Sequence, residues 1–311
     1  MSRAFVFPGQ GSQAIGMGKA LADASAAARE VFEEVDDALG QKLSRLMFEG
    51  PEDELTLTEN AQPAIMAASI AALRVLESGG VRLADKADYV AGHSLGEYSA
   101  LCAAGALTLS DTARLLKLRG RAMQAAVPVG EGAMAALLGL DLEAAQAAAA
   151  EAAQGEVCSA ANDNAPGQVV VSGHKAAVER AIEIAKGKGA KRAILLPVSA
   201  PFHCALMQPA AEAMAKALAE ADVKAPFVPL VANVTAAPVA SPDEIRRLLV
   251  EQVTDMVRWR ESVSAMAGLG VANFVECGGK VLGPMIKRIE PDATAVSLVT
   301  MADIEAFAAT L

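Results

Sequence analysis

The sequence has few cysteines and few histidines. Its four cysteines form no CxxC pair and the chain shows no signal-peptide pattern, so we expect a protein of the reducing cytoplasm. The three histidines, His93, His174 and His203, have no metal-ligand spacing with a cysteine or a carboxylate. We therefore expect no metal site, and zinc in particular does not fit this pattern.

Excess positive charge and long apolar runs are also lacking. The net charge is −10, which does not provide the basic surface that nucleic-acid phosphates require. No uncharged apolar run reaches about 18 residues, the length of a membrane-spanning helix. We expect neither nucleic-acid binding nor membrane insertion. With 53% apolar and 21% charged residues, the 311-residue chain has the composition of a globular protein with room for one large domain or two.

Strand-like and helix-like segments alternate along the chain, which predicts an α/β fold. Strands are expected near residues 3–7 and 88–92. The segment 109–126 has a helical pattern, with Ser110 or Asp111 as the expected N-cap. The alternation is interrupted once, in the middle of the chain, and then continues to its end.

The interruption is a block that follows Pro128. Its pattern reads strand, helix, strand, strand, helix and strand, which is the order of the ferredoxin-like unit. We therefore expect a large α/β domain with a parallel sheet, formed by residues 1–127 and 198–311. A small ferredoxin-like subdomain would be inserted over residues 128–197.

The most informative motif is Gly92-x-Ser94-x-Gly96, which lies between an apolar strand and a helical pattern. A nucleophile elbow needs this arrangement, because the serine occupies a tight turn where only small neighbours fit. The helix that follows offers free N–H groups to a developing oxyanion. The motif predicts Ser94 as a nucleophile, and the alternative is an ordinary small-residue turn before a helix.

A nucleophilic serine needs a base, and His203 is the best candidate. It lies in a proline-punctuated loop where the chain leaves the inserted block, whereas His93 should point away from Ser94 and His174 should lie on the surface at a helix start. The group that orients the base stays open. Asp163 is the one carboxylate expected in a loop, and a backbone carbonyl could serve equally well.

The first glycine-rich loop has two interpretations. Gly9-x-Gly11-x-x-Ala14 follows a strand, as in the dinucleotide-binding fingerprint. The acidic residue expected about 20 positions later would be Glu30 or Glu33, but both lie in an amphipathic helical pattern. The glycines could instead clear space for a close approach of the backbone.

Taken together, these residues resemble the malonyl-CoA:acyl carrier protein transacylase family of fatty acid synthesis. The resemblance covers the whole chain, and so many motifs in one order make it specific. They are "FPGQGSQ", "GHSLGEYSAL", "LLKLRGRAMQ", "GAMAALLGL", "NDNAPGQVVVSG", "PVSAPFHC" and "VRWRESV". One segment departs from the family pattern, because "ECGGKVL", residues 276–282, is one residue shorter.

The resemblance implies an α/β-hydrolase-like large domain with a ferredoxin-like insert. Ser94 would carry the malonyl group as an ester, and His203 would act as general base and then as general acid. The main-chain carbonyl of Gln252 would orient His203. The backbone N–H groups of Gln13 and Leu95 would form the oxyanion hole.

Two further residues acquire a role only through the resemblance. From the residues alone, Arg119 belongs to a helix crowded with cations and is typical of a solvated basic face. The resemblance implies instead that its guanidinium grips the malonyl carboxylate, for which a planar fork suits better than an ammonium. Asn162 would help to line the acyl pocket, and Gln13 would also contact the substrate.

The implied partners are malonyl-CoA and acyl carrier protein, with no cofactor and with a monomeric enzyme. Because the carrier protein is acidic, docking would need a cationic patch, and "KGKGAKR" at 186–192 and the pair at 287–288 are candidates. Two alternatives remain. They are a serine esterase or thioesterase, and a non-catalytic module that binds an acyl carrier.

Overall fold

The computed structural model describes residues 2–311. The strands are β1 Ser2–Phe7, β2 Tyr89–Gly92, β3 Gly132–Leu138, β4 Cys158–Ala165, β5 Gln168–His174, β6 Arg192–Leu195, β7 Leu230–Val231, β8 Pro238–Val239, β9 Val271–Cys277 and β10 Thr294–Leu298. The helices are α1 Lys19–Ala24, α2 Ala26–Leu39, α3 Leu43–Glu49, α4 Glu52–Thr56, α5 Thr58–Ser78, α6 Leu83–Lys86, α7 Gly96–Ala103, α8 Leu109–Ala125, α9 Leu142–Ala153, α10 Lys175–Gly187, α11 Gln208–Glu220, α12 Pro242–Glu251, α13 Trp259–Gly268, α14 Leu282–Ile289 and α15 Met301–Ala308. None of these helices is both long and apolar enough to cross a membrane.

The larger sheet has six strands in the order β10-β9-β1-β2-β7-β8. Neighbouring strands in this sheet are parallel, except that β7 and β8 are antiparallel, so the sheet is mixed and mostly parallel. Alternate side chains of β1 enter two cores, since Phe5 and Phe7 pack into one hydrophobic cluster and Ala4 and Val6 into another. A strand buried on both faces between helices confirms the predicted α/β fold.

The smaller sheet has four antiparallel strands in the order β4-β5-β3-β6. Helices α9 and α10 pack together beside it and close a separate apolar cluster that is rich in alanine and valine. In chain order the block reads β3, α9, β4, β5, α10 and β6, as the sequence pattern predicted. The chain leaves β6 through residues 196–204 and returns to the larger sheet.

Two local predictions were wrong. The N-cap of α8 is Thr108, whose hydroxyl accepts the Asp111 N–H at 3.1 Å, rather than Ser110 or Asp111. Asp163 was expected in a loop but lies within β4, which continues through this polar stretch because two register shifts interrupt its pairing with β5. The Asp163 carboxylate forms an ion pair with Arg260 at 2.7 Å, so it does not orient the candidate base.

The topology brings the candidate residues to one edge of the larger sheet. Strands β1 and β2 are adjacent and parallel, so their carboxyl ends lie side by side. The glycine-rich loop follows β1, and the GxSxG turn follows β2. Crevices at the carboxyl ends of parallel strands are the usual ligand sites of open α/β sheets.

Candidate active site

Ser94 occupies a strained turn between β2 and α7. Its φ is 54°, in the left-handed region that non-glycine residues seldom adopt. A Cβ on Gly92 would lie 1.9 Å from the Gly96 carbonyl oxygen, and one on Gly96 would lie 2.2 Å from the Phe7 oxygen. Both glycines are therefore required by close packing of the turn against itself and against the end of β1, as expected for a nucleophile elbow.

The side chain of His203 lies directly against Ser94. Its Nε2 is 2.8 Å from the Ser94 Oγ, and its Nδ1 is 2.8 Å from the carbonyl oxygen of Gln252. A carbonyl can only accept, so Nδ1 carries the proton and Nε2 is left as the acceptor for the serine hydroxyl. The structure thus places all three predicted catalytic residues in one hydrogen-bonded chain, with a backbone carbonyl in the third position.

The environment of His203 keeps its imidazole neutral. Burial, followed by the positive charge of Arg119, lowers the pKa of His203 to about 3. The hydrogen bond to the Gln252 carbonyl opposes this shift without reversing it. A neutral imidazole with a free Nε2 lone pair is the form that a general base requires.

Arg119 lies on α8 but is only 1% exposed. Its Nη1 donates to the Gln62 side-chain oxygen at 2.8 Å, and its Nη2 lies 3.1 Å from the Ser94 Oγ. The close approach of α8 to α5 depends on Gly120, where a Cβ would lie 2.6 Å from the backbone of Glu59. This crossing directs Arg119 inward to the nucleophile.

The other cations of α8 differ in their surroundings. Arg114 and Arg121 are exposed and form ion pairs at the surface, as a solvated basic face predicts. Lys117 is nearly buried and donates to the Asn60 side-chain oxygen at 2.7 Å. The interpretation of the whole helix as a solvated face therefore fails at Lys117 and Arg119, whose burial depends on the path of α5.

A cavity of about 340 Å³ opens onto Ser94, and its lining contains every predicted site residue except Gln252. Gln13, Leu95 and Asn162 contribute to the wall. Residues 2–311 offer no acceptor for the backbone N–H of Gln13 or of Leu95. The cavity is of a size that holds a small acyl group and the end of a thioester chain.

The glycine-rich loop packs against the elbow. A Cβ on Gly9 would lie 2.7 Å from the carbonyl oxygen of His93, so a glycine is needed for this approach. The next helix begins only at Lys19. The loop does not lead directly into a helix N-terminus, as the dinucleotide fingerprint requires, and the close-approach interpretation is the one that the structure supports.

The inserted block reaches the elbow through β4. Asn164 contacts His93, whose Nε2 lies 2.8 Å from the Asn164 side-chain oxygen. The backbone of Asp163 donates to the Val257 oxygen at 3.0 Å. Asn162, the residue before, faces the cavity. His93 is thereby occupied away from Ser94, as predicted, and β4 supplies part of the cavity wall.

Sequence reasoning missed four polar side chains that surround Arg119 and Ser94. They are Gln62, Glu97, Asn233 and the side chain of Gln252, and all are buried. The available signal was a polar residue within an otherwise apolar helix, as for Gln62 in "NAQPAIMAASIAAL" and Glu97 in "GEYSALCAA". Such a residue needs partners, but the sequence does not identify them.

The described part of the chain contains no group of three or more histidine, cysteine, aspartate or glutamate residues that could hold a metal ion. The site is thus a serine–histidine pair beside a buried guanidinium. This arrangement can form and break an ester on Ser94 and can bind an acidic group next to it.

Comparisons with known proteins agree with this chemistry. Residues 4–279 match the family described as the acyl transferase domain. The malonyl CoA-acyl carrier protein transacylase of Escherichia coli strain K12 is 49% identical over 296 residues, which cover 95% of this chain and 95% of that protein.

Solved structures have the same fold. The acyl-carrier-protein-S-malonyltransferase of Bartonella henselae has a TM-score of 0.98 at 56% identity, covering 100% of this chain and 99% of that one. A malonyl-transacylase in complex with its type II PKS acyl-carrier protein has a TM-score of 0.97 at 43% identity and covers 100% of both chains. The chain therefore belongs to the acyl transferase domain family and, within it, to the malonyl-CoA:acyl carrier protein transacylases.

Proposed function

We propose that this enzyme transfers a malonyl group from malonyl-CoA to the phosphopantetheine thiol of acyl carrier protein, in fatty acid biosynthesis. One observation carries the proposal. The Oγ of Ser94 lies within 2.8 Å of the His203 Nε2 and within 3.1 Å of the Arg119 Nη2. A nucleophile is thus held between its base and a buried cation that suits a carboxylate.

The first half-reaction acylates Ser94. The His203 Nε2 takes the hydroxyl proton as the Ser94 oxygen attacks the thioester carbonyl of malonyl-CoA. The tetrahedral intermediate collapses, the carbon–sulfur bond breaks, and the coenzyme A thiolate leaves with the proton that His203 returns. The free N–H groups of Leu95 and Gln13 stabilise the oxyanion in this proposal.

The second half-reaction reverses the roles with a different thiol. His203 takes the proton of the phosphopantetheine thiol, and the thiolate attacks the malonyl ester. The bond to the Ser94 oxygen breaks, and His203 returns the proton to that oxygen. Acid and base functions alternate on one imidazole, so no cofactor is needed.

Arg119 would select the carboxylated acyl group. In the resting site an Nη2 N–H of Arg119 donates to the Ser94 hydroxyl. When the Ser94 oxygen becomes part of an ester it is a weaker acceptor, and this N–H becomes free to bind the substrate. The buried Nε–H of Arg119 has no acceptor among residues 2–311. The guanidinium therefore retains donors for a carboxylate, and a low-dielectric site strengthens such charge-assisted bonds. Asn162 and Gln13 would complete the acyl pocket.

The finer description of the fold belongs to the same proposal. The larger sheet with its elbow supports an α/β-hydrolase-like domain of residues 1–127 and 198–311. The separate core and the strand order of the smaller sheet support a ferredoxin-like insert over 128–197. A cytoplasmic monomer remains a prediction.

A serine esterase is the main alternative, because water can also open an acyl-serine. The two functions are distinguished by measuring free malonate and malonyl carrier protein together, at saturating malonyl-CoA. We expect malonate release to be slow and thiol transfer to be fast. Fast malonate release that the carrier protein does not suppress would identify a hydrolase, whereas binding of the carrier protein without any malonyl transfer would identify a non-catalytic module.

A further inference from the structure

Glu97 is a buried carboxylate to which the proposed mechanism gives no role. It lies in the first turn of α7, three residues after Ser94, and is 1% exposed. Burying a carboxylate is costly unless strong hydrogen bonds or a nearby cation compensate. The hydrogen-bond partners of Glu97 therefore show which groups compensate for the burial of its carboxylate.

Both oxygens of Glu97 accept N–H bonds. The backbone N–H of Asn233 donates to Oε1 at 3.0 Å, and the side-chain amide nitrogen of Gln252 donates to Oε2. That amide nitrogen also lies 2.9 Å from the backbone oxygen of Ser94. Two acceptors thus face one end of the Gln252 amide. Only the NH₂ group can donate to them, so this end must be the nitrogen end.

The other end of the same amide faces Arg119. The Gln252 Oε1 accepts from the Arg119 Nη2 at 2.8 Å. A guanidinium has only donors, so a reversed amide would place N–H groups against N–H groups. The carboxylate of Glu97, the amide of Gln252 and the guanidinium of Arg119 form a chain of hydrogen bonds with one consistent direction.

The same carboxylate also supports the elbow. Asn233, which Glu97 holds through its backbone, accepts the Ser94 N–H at 2.8 Å and donates to the Gly92 oxygen at 2.7 Å. Glu97 is therefore connected by single intermediates both to the nucleophile and to the candidate carboxylate receptor. Its negative charge also compensates the buried positive charge of Arg119.

We propose that Glu97 is a positioning residue for acyl selectivity, because its carboxylate orients the Gln252 amide and thereby holds the Arg119 guanidinium beside Ser94. This inference rests on the proposed function, in which Arg119 binds the malonyl carboxylate. It gives Gln252 two separate tasks. Its main-chain oxygen orients His203, and its side chain connects Glu97 to Arg119.

The test is the substitution Glu97→Gln, which keeps the size of the side chain and removes the charge. The readout is the ratio of kcat/KM for malonyl-CoA to that for acetyl-CoA, measured at pH 8, where the wild-type Glu97 is ionised. We expect the ratio to fall about 10- to 100-fold, the effect of a lost hydrogen bond to a charged group. Glu97→Asp, which restores the charge on a shorter side chain, should recover part of the ratio.

Glu276→Gln is the matched control. Glu276 is equally buried, but its carboxylate accepts the backbone N–H groups of 281–283 at the start of α14. Its loss should reduce stability and leave the ratio unchanged. A Glu97→Gln enzyme that loses both activities in equal proportion would show a merely structural role and would overturn the proposal.

A double-mutant cycle tests the connection through Gln252. Gln252→Met removes the side-chain amide and keeps the main-chain carbonyl. If Glu97 acts through this amide, Gln252→Met lowers the ratio and the double variant lowers it no further. Additive losses would contradict the proposal. If Glu97→Gln does not fold, an unchanged ratio in Gln252→Met is sufficient to overturn it. A wild-type enzyme without malonyl preference would instead contradict the proposed function.

Discussion

The guanidinium of Arg119, on α8, and the hydroxyl of Ser94, in the turn between β2 and α7, lie 3.1 Å apart. The hydroxyl oxygen accepts from Arg119 and also lies 2.8 Å from the Nε2 of His203. Nucleophile, base and candidate carboxylate receptor therefore converge on one oxygen atom. The predictions below follow from this convergence and from the packing that maintains it.

Arg119→Lys should reduce malonyl transfer far more than acetyl transfer. A lysine retains the positive charge but cannot make the two parallel bonds of a guanidinium to a carboxylate. We expect kcat/KM for malonyl-CoA to fall by about 10²-fold or more, the effect of about 3 kcal/mol. Steady-state kinetics with both donors check this, with Arg121→Lys as the exposed control on the same helix. Equal losses for both donors would show that Arg119 is needed for structure alone.

His203→Ala should slow acylation of Ser94 by about 10²- to 10⁴-fold, the usual contribution of a general base. Rapid-quench measurement of acyl-enzyme formation gives this rate directly. His174→Ala is the control, because His174 accepts the Val157 N–H within the inserted block and lies outside the cavity. A His203→Ala enzyme that acylates at the wild-type rate would contradict the assignment of the base.

The pH dependence of acylation should reveal the low pKa of His203, about 3. For a histidine with a pKa near 6.5, the neutral fraction of the imidazole would be about 30-fold smaller at pH 5 than at pH 8. With the depressed pKa, this form persists, and acylation by acetyl-CoA should be nearly constant from pH 8 to pH 5. A steep decline with a midpoint near 6.5 would contradict the burial argument.

Glu97 should affect the pH dependence of stability in a definite direction. Burial raises its pKa to about 7, against the opposing N–H donors and the charge of Arg119. The native state then binds more protons than the unfolded state between the ordinary pKa and about 7. Its contribution to stability is present at low pH and is lost as the pH rises through 7.

The variant Glu97→Gln removes this titration. As the pH rises from 5 to 8, the free energy of unfolding of the wild type should fall relative to that of the variant by up to roughly 3 kcal/mol. Urea unfolding at the two pH values measures the difference. A constant difference between variant and wild type would mean that Glu97 is ionised in both the folded and the unfolded state.

Gly120→Ala should disturb the crossing of α8 and α5. The added methyl group would lie 2.6 Å from backbone atoms of Thr58 and Glu59, which cannot move as a side chain does. We expect a loss of about 1–3 kcal/mol in the free energy of unfolding and a lower malonyl preference, because Arg119 is the neighbouring residue. Gly187→Ala, with open space around the new methyl group, is the control and should not destabilise the protein.

The contacts of the cations at 186–192 and 287–288 indicate which of them are available to dock an acidic carrier protein. Lys186 and Lys188 form ion pairs with carboxylates, and Lys287 donates to backbone oxygens. Arg288 donates to the side-chain oxygen of Gln168 and to the backbone oxygen of Pro166. Lys191 and Arg192 have no carboxylate partner within residues 2–311. They also precede the segment from 196 that lines the cavity.

Charge reversal at Lys191 and Arg192 should therefore weaken the second half-reaction selectively. We expect KM for the carrier protein to rise several-fold while acylation by malonyl-CoA changes less. Charge reversal at Lys186 is the control on the same block. Equal effects on the two half-reactions would count against this patch.

The sequence predicted those parts of the site that depend on local rules. Gly92 and Gly96 mark the elbow because the tight turn leaves no room for a side chain at these two positions, and this requirement is visible in a short motif. The alternation of elements likewise predicted the α/β sheet and the order of the inserted block. Asp163 was misplaced because a run of polar residues is typical of a loop, whereas register shifts accommodate it in β4.

The polar network around Arg119 could not be predicted in this way. Gln62, Glu97 and Gln252 come from three separate helical regions, and their contacts depend on how α5, α7 and α12 pack. The sequence shows only that each is a polar residue in apolar surroundings. Which partners satisfy it is a property of the tertiary structure.

The most direct test of the central claim is the intact mass of the enzyme after exposure to malonyl-CoA, before and after addition of holo acyl carrier protein. The account predicts a single malonyl adduct on Ser94 that disappears when the carrier protein is added and is then recovered on the carrier protein. No adduct on the wild type, or an adduct that persists in Ser94→Ala, would contradict it.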